Sequence, residues 1–255
     1  MSNDLRAQGA DFVVWSEAAV DGLPNRGFSD SLRRLVTGKI QLPALIGAGL
    51  VEDKAHGRRE FNSAIATASN GEAVGRYDKH HLFPFGEAIP FAERFPFIYK
   101  WLPNASRLVP GTTTETLLLA GHPITTLICY EDILPAFARD EVARDRPEML
   151  INLTNDVWFG DTTEPWIHLA LAQTRAIEHR LYLLRATNSG VSAVIDPAGR
   201  VAAHSTTFQA QTLDAVAHWM RGPRTGYELW GDVPVWLATA ALGFMALFER
   251  RRRAR

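Results

Sequence analysis

The single cysteine of this chain, Cys129, stands where an apolar run stops, in ITTLICYED; Glu17 and Lys79 close two further runs, VVWSE and GRYDK. A thiol near its free pKa is only partly ionised at neutral pH, and a neighbouring carboxylate can take its proton. An ammonium at the same place stabilises both the thiolate and the oxyanion that forms when sulfur attacks a carbonyl. Carboxylate, ammonium and thiol together are therefore suited to covalent acyl chemistry, with a thioester that water or an amine can resolve. Taken singly, each has a plainer reading. A lone cysteine is most often a small core hydrophobe, and a charge after a strand is most often a solvated end. The flanks decide for Cys129: Tyr130, Glu131 and Asp132 follow at once, so the strand leaves the apolar interior there. Strand ends are where α/β sheets present reactive groups. No histidine follows Cys129 in a papain-like arrangement, which leaves a carboxylate as the base.

The elements that would position these groups alternate between strand and helix. DFVVWSEAAV reads as a strand ending near Glu17, and SDSLRRLVTG as a short helix capped by Ser29 or Asp30 and stopped by Gly38. PALIGAGLVED is a buried strand. FNSAIATASNGEAVGRYDK is a hairpin in which Asn70-Gly71 signals a type I′ turn. Residues 82–111 carry many of the prolines and aromatics without a period, a long loop of the kind that serves as a lid or binding element. A helix is expected around 135–145, followed by the strand EMLINLTND. From Glu164 to Leu181 the period is helical: Ile167, Ala170, Leu171, Ile177 and Leu181 share the stripe expected to be buried, with Arg175, Glu178 and Arg180 mostly off it. LYLLRATNSGVSAVIDPAGRVAAHS reads as two strands joined at Pro197-Ala198-Gly199.

This alternation predicts one α/β domain, and 255 residues with 46% hydrophobic and 22% charged suffice for its core. A formal net charge of -1 directs nothing toward nucleic acid. One cysteine excludes an internal disulfide and a cysteine-rich zinc site. The eight histidines are scattered without metal-ligand spacing, and neither GxGxxG nor a P-loop occurs. No metal and no cofactor is expected.

The two ends differ. MSNDLRAQGA has neither a basic start nor an apolar stretch, so it is not a signal peptide. It reads as the last turns of a helix closed by Gly9, which suggests that sequence upstream is missing. VPVWLATAALGFMALF is uncharged and is followed by ERRRRAR. That run alone is short of the ~20 residues of a transmembrane helix, but counted over 227–249, with Trp230 and Trp236 as interfacial anchors, the stretch reaches that length. The basic tail, 250–255, then belongs in the cytoplasm and the preceding domain on the other side.

Glu, Lys and Cys in this order, within DFVVWSEAAV, GRYDKHHLFPFGE and LICYED, resemble the carbon–nitrogen hydrolase (nitrilase) superfamily. YDKHHLFPFGEAIPF, CYED and the long block from NLTNDVWFG through RAIEHR to RATNSG are most similar to its membrane branch, the apolipoprotein N-acyltransferases. The resemblance runs from Asp11 to about Val201. It implies an α-β-β-α sandwich followed by one C-terminal transmembrane helix, with residues 1–220 as the catalytic domain. It also implies Glu17 as general base, Lys79 as oxyanion-stabilising cation, Cys129 as nucleophile and Glu87 as a supporting carboxylate. Tyr130 and Glu131 would shape the pocket, and Trp158 and Phe159 would be rim packing or substrate contacts. Arg175, Glu178, Arg185 and Asn188 would be internal scaffold pairs. The implied partners are a phospholipid acyl donor, a diacylglyceryl apolipoprotein acceptor and the bacterial inner membrane, with the catalytic domain periplasmic. Aromatic loop 82–111 would be a lipid-facing lid. Two departures stand out. Trp15-Ser16-Glu17 replaces the family's Trp-Pro-Glu, and the family's membrane helices and first catalytic-domain strand have no counterpart ahead of residue 1. A soluble-type amidase acting on a small amide, or an inactive membrane-tethered fragment, remain the alternatives.

Overall fold

The computed structural model describes residues 2–36, 40–54, 57–91, 94–102, 106–112 and 114–253. The helix stop expected at Gly38, parts of loop 82–111 and the last two residues of the basic tail lie outside them.

Alternating side chains along extended backbone build two sheets that share one interior. The first sheet holds β1 (Val13–Val14), β2 (Val20–Pro24), β3 (Ala44–Lys54), β4 (Gly57–Thr67) and β5 (Ala73–Asp78). The second holds β6 (Leu117–Leu119), β7 (His122–Ile128), β8 (Met149–Asn155), β9 (Leu183–Asn188), β10 (Ala193–Ile195) and β11 (Val201–His204), ordered from β11 back to β6. Leu45, Ala64, Ala66 and Tyr77 of the first sheet meet Ile124, Ile128, Met149, Ile151 and Leu153 of the second. The alternate residues Ile46, Ala48 and Ile65 face outward onto Leu32 and Val36 of α2 (Phe28–Val36), the helix that follows the short N-terminal α1 (Ser2–Ala7). On the far side, Leu150, Leu183, Ala193 and Ile195 pack beneath Val142 of α3 (Pro135–Asp145) and Leu169, Ala172 and Ala176 of α4 (Glu164–His179). The layers are helix, sheet, sheet, helix.

Strands β7, β8 and β9 run parallel, so their C-terminal ends form one rim. Cys129 follows β7 and Asp156 follows β8, and the ends of β8 and β9 are tied by Asp156 N–H donating to the Asn188 carbonyl at 3.1 Å. Lys79 follows β5 in the opposite sheet and enters the same interior; its N–H donates to the Asn62 carbonyl of β4 at 2.8 Å.

Several sequence expectations shift. The first long helix starts at Phe28, which puts Ser29 and Asp30 inside its first turn instead of at its cap. The β4–β5 hairpin forms, but of Asn70 and Gly71 only Gly71 has positive φ (79°), whereas type I′ needs two such residues in succession. The pair of strands after residue 181 is three strands, because the chain breaks at Ser189, φ 66°, before β10. Strand β2, pairing in parallel with β3, has no counterpart in the sequence reading.

The larger correction concerns α4. Ile167, Ala170, Leu171 and Ile177 are exposed, and of the expected stripe only Leu181 is buried. The inward face is Pro165, His168, Leu169, Ala172, Arg175, Ala176 and His179. The sheet already presents Leu150, Leu183 and Ile195, so the helix approaches through alanines, and ionic partners receive its polar members. Hydrophobic size therefore misjudged the phase.

The C-terminal apolar stretch is also divided. A short helix, α5 (Gly226–Trp230), ends at Gly231, φ 52°, and α6 (Val233–Arg253) continues beyond the expected boundary at 249. α6 is long and apolar enough to cross a bilayer, with mean hydropathy 1.3 over its most apolar window and none of that window buried.

Candidate active site

Glu17 lies three residues beyond β1. Trp15 N–H donates to the Leu45 carbonyl at 2.8 Å, and Gly47 lets the Ser16–Glu17 backbone lie against β3, where any Cβ would overlap the Ser16 carbonyl. The Glu17 carboxylate is buried and accepts from Asn62 Nδ2 at 2.5 Å. Lys79 Nζ sits 3.7 Å from the same Glu17 oxygen and donates to Glu87 Oε1 at 2.7 Å. The other Glu87 oxygen accepts from the Phe83 N–H at 2.8 Å, folding the start of loop 82–111 over the ammonium. One buried lysine thus joins two carboxylates from distant parts of the chain.

Cys129 opens a 3-10 turn, Cys129–Ile133, with φ 53°, a left-handed value that costs a non-glycine residue on the order of 1–3 kcal/mol. The thiol is partly buried, and Glu17, Lys79 and Glu87 all act on it electrostatically. Burial pushes its pKa up, Glu17 adds to this, and Lys79 opposes both. Burial also raises Glu17, with Lys79 and the Asn62 hydrogen bond pulling the other way. For Lys79 burial disfavours the charge, but Glu17, Cys129 and Glu87 outweigh it and hold the ammonium above its ordinary value. Burial thus disfavours charge on the thiol and on the Glu17 carboxyl alike, while the Lys79 ammonium favours it on both. That arrangement suits attack on an acyl carbon with concerted proton removal.

Tyr130 and Glu131 differ in role. Glu131 is fully buried and accepts from the Ile128, His80 and His81 N–H groups at 2.8, 2.8 and 2.9 Å and from Tyr77 Oη at 2.9 Å. It clamps the segment leading into Cys129 to the segment leaving Lys79. Burial raises its pKa to about 7 despite these donors. Tyr130 is half-buried, its ring edge-on to Phe83 at 5.7 Å. Trp158, 86% exposed, and Phe159 lie in a 3-10 turn after β8, and Phe85, Phe91 and Trp101 of the long loop are exposed as well. Exposed aromatics therefore accompany the segments that follow Lys79 and β8.

Asn62 and Tyr77 were not singled out from sequence. Their signal was faint: a polar tip facing inward on an otherwise apolar hairpin. Among the scaffold residues, Arg175 pairs with Glu178 at 2.8 Å and Arg185 with Asp132 at 2.6 Å. Asn188 is exposed and contributes its backbone, because β9 has reached the rim there. Among the described residues no three His, Cys, Asp or Glu side chains group as a metal site.

Residues 1–216 match the family model for carbon-nitrogen hydrolase. The chain is 31% identical over 250 residues to the apolipoprotein N-acyltransferase of Geobacter metallireducens, covering 96% of this chain and 47% of that protein. It is 36% identical to the apolipoprotein N-acyltransferase of Methylococcus capsulatus, covering 94% and 47%. It therefore spans about half the length of these relatives. Among solved structures, an amidase from Nesterenkonia sp. superposes with a TM-score of 0.59 at 19% identity, covering 81% of this chain and 77% of that one. A glutamine-dependent NAD+ synthetase from Acinetobacter baumannii superposes at 0.60 and 17% identity, over 82% and 39%. These two likenesses bear on the fold.

Proposed function

The chain belongs to the carbon–nitrogen hydrolase family, and we propose that within it this protein is an N-acyltransferase, moving a fatty acyl chain from a phospholipid to the N-terminal amine of a diacylglyceryl-cysteine apolipoprotein. The convergence of Glu17, Lys79 and Glu87 on Cys129 carries the proposal, and the names of the relatives supply its substrate class.

Glu17 accepts the Cys129 proton as Sγ bonds to the ester carbonyl carbon. The oxyanion forms beside the Lys79 ammonium, which is already charged and desolvated, so little reorganisation is needed. Collapse breaks the ester C–O bond; the lysophospholipid oxygen leaves with the proton from Glu17. In the second half the lipoprotein amine attacks the thioester and the same oxyanion position is used again. Glu17 takes the ammonium proton, the C–S bond breaks, and the amide departs while the proton returns to sulfur. Glu87 holds Lys79 in place. The exposed aromatics of loop 82–111 and Trp158 form a lid that meets lipid. α6 crosses the inner membrane, with Arg250–Arg253 in the cytoplasm and the catalytic domain in the periplasm.

The test is acyl-enzyme formation from a fluorescent phospholipid in detergent micelles. The wild type is expected to acquire hydroxylamine-labile label that Cys129→Ala lacks. Label retained in Cys129→Ala, or ammonia release from small amides with no transfer to a lipopeptide amine, overturns the proposal.

A further inference from the structure

Beneath the rim lies a second set of buried charges that the acyl chemistry does not touch. Asp132, Asp156, His168 and Arg185 come from the Cys129 turn, the end of β8, α4 and β9, and are 0%, 0%, 5% and 2% exposed. They close a ring. Asp132 Oδ1 accepts from His168 Nε2 at 3.0 Å, and Asp132 Oδ2 from Arg185 Nη1 at 2.6 Å. Asp156 Oδ1 accepts from His168 Nδ1 at 3.0 Å, and Asp156 Oδ2 from Arg185 Nη2 at 3.3 Å. All four carboxylate oxygens are engaged, and both imidazole nitrogens face acceptors, so His168 is an imidazolium and the ring is electrically balanced. Gly190 makes room for it, since a Cβ there would overlap Asp156.

One spoke leaves the ring toward the nucleophile. Arg185 Nη1 and Thr154 Oγ1 both donate to Asn152 Oδ1 at 2.8 Å. Two donors on the oxygen fix which way the amide points, so Nδ2 is turned to the carbonyls of Leu127 and Cys129, at 3.2 and 3.1 Å. Asp132 anchors the same turn three residues later. The Cys129 backbone is thus gripped on both sides of its unfavourable φ.

We propose that Asn152, oriented by Thr154 and by the Asp132–His168–Asp156–Arg185 ring, is a positioning residue that holds the Cys129 peptide in its left-handed conformation and so aims the sulfur at the acyl carbon. The proposal rests on the reading of Cys129 as nucleophile. The ring sets the amide, the amide sets the peptide plane, and the peptide plane sets Sγ relative to Lys79 and Glu17. Buried, paired charges are poor sources of stability, and in some proteins they select one arrangement over near alternatives; displacement of a reacting atom by about 1 Å can cost 10²-fold in rate.

The experiment measures Cys129 acylation by a p-nitrophenyl acyl ester in wild type, Asn152→Leu and Thr154→Val, well below each melting temperature and normalised to folded fraction by circular dichroism. Asn152→Leu is expected to lower the saturating acylation rate about 10- to 100-fold with half-saturation unchanged within about twofold. Thr154→Val, which keeps volume and removes one donor from the Asn152 oxygen, is expected to lower it several-fold, and it decides the matter should Asn152→Leu fail to fold. A rate equal to wild type, whatever the melting temperature does, overturns the proposal, as does a loss confined to half-saturation. A wild type that forms no acyl-enzyme sinks the acyl-transfer reading instead. Alkylation of Cys129 by iodoacetamide then still reports on positioning, and equal rates in wild type and variants overturn it.

Discussion

Two charged clusters lie within the same sandwich, and they are built on opposite plans. In the crevice a single ammonium, Lys79, serves two carboxylates, Glu17 and Glu87. In the ring two cations meet two anions, and every carboxylate oxygen is engaged. An unbalanced cluster can take up a proton and meet a developing negative charge; a balanced one resists both. Desolvated charge is functional where it is incomplete and positional where it is closed.

Removing a charge from each cluster tests this division. Arg185→Leu strands Asp132 and Asp156 with His168 alone, and is expected to cost about 3–5 kcal/mol of unfolding free energy, read as a lower denaturant midpoint. A cost below ~1 kcal/mol would mean that the ring is not closed in solution. Lys79→Met is expected to reverse the pattern. Glu17, whose pKa burial already raises, relieves part of the loss by protonating, so stability falls less than in Arg185→Leu. The acylation rate falls ~10²- to 10³-fold, as for loss of one oxyanion donor. Equal proportional losses in phospholipid binding and in acylation would make Lys79 a headgroup contact.

The smallest effect is in pH. Burial disfavours charge on His168, but Asp132 and Asp156 outweigh this and raise its pKa from the ordinary 6.5 to about 9. A cationic group raised on folding contributes stability that is complete below the unfolded pKa and is lost as pH rises through the folded one. Arg185 and Glu164 also face this group and are part of its field. Thermal melting from pH 6.5 to 9.5 is therefore expected to fall by an amount worth up to ~3 kcal/mol, with a shallower slope in His168→Gln. Parallel slopes would assign the loss to another group.

The ring was partly written in the sequence. Asn152, Thr154 and Asp156 recur at every second position of an apolar strand, which is the mark of a polar face inside a core. Their partners were not legible, because Arg185 lies 53 residues from Asp132 and His168 lies 36. Nothing local distinguishes an arginine that reaches inward from one that reaches solvent. Arg175 and Asn188 show the ambiguity: the first is buried against Glu178, while the second is exposed and uses only its backbone.

Local rules were enough for much else. Residue type and position along the chain identified the hairpin, the helix at 135–145 and an apolar terminal helix, since each depends on periods and stop signals spanning a few residues. Tertiary structure alone decided which face of α4 is inside, how Glu131 links the Lys79 and Cys129 segments, and where the buried arginine finds its acids. A helix's rotation is set by the surface it meets, and a buried charge by the partner brought to it; both come from strands and loops far away in sequence.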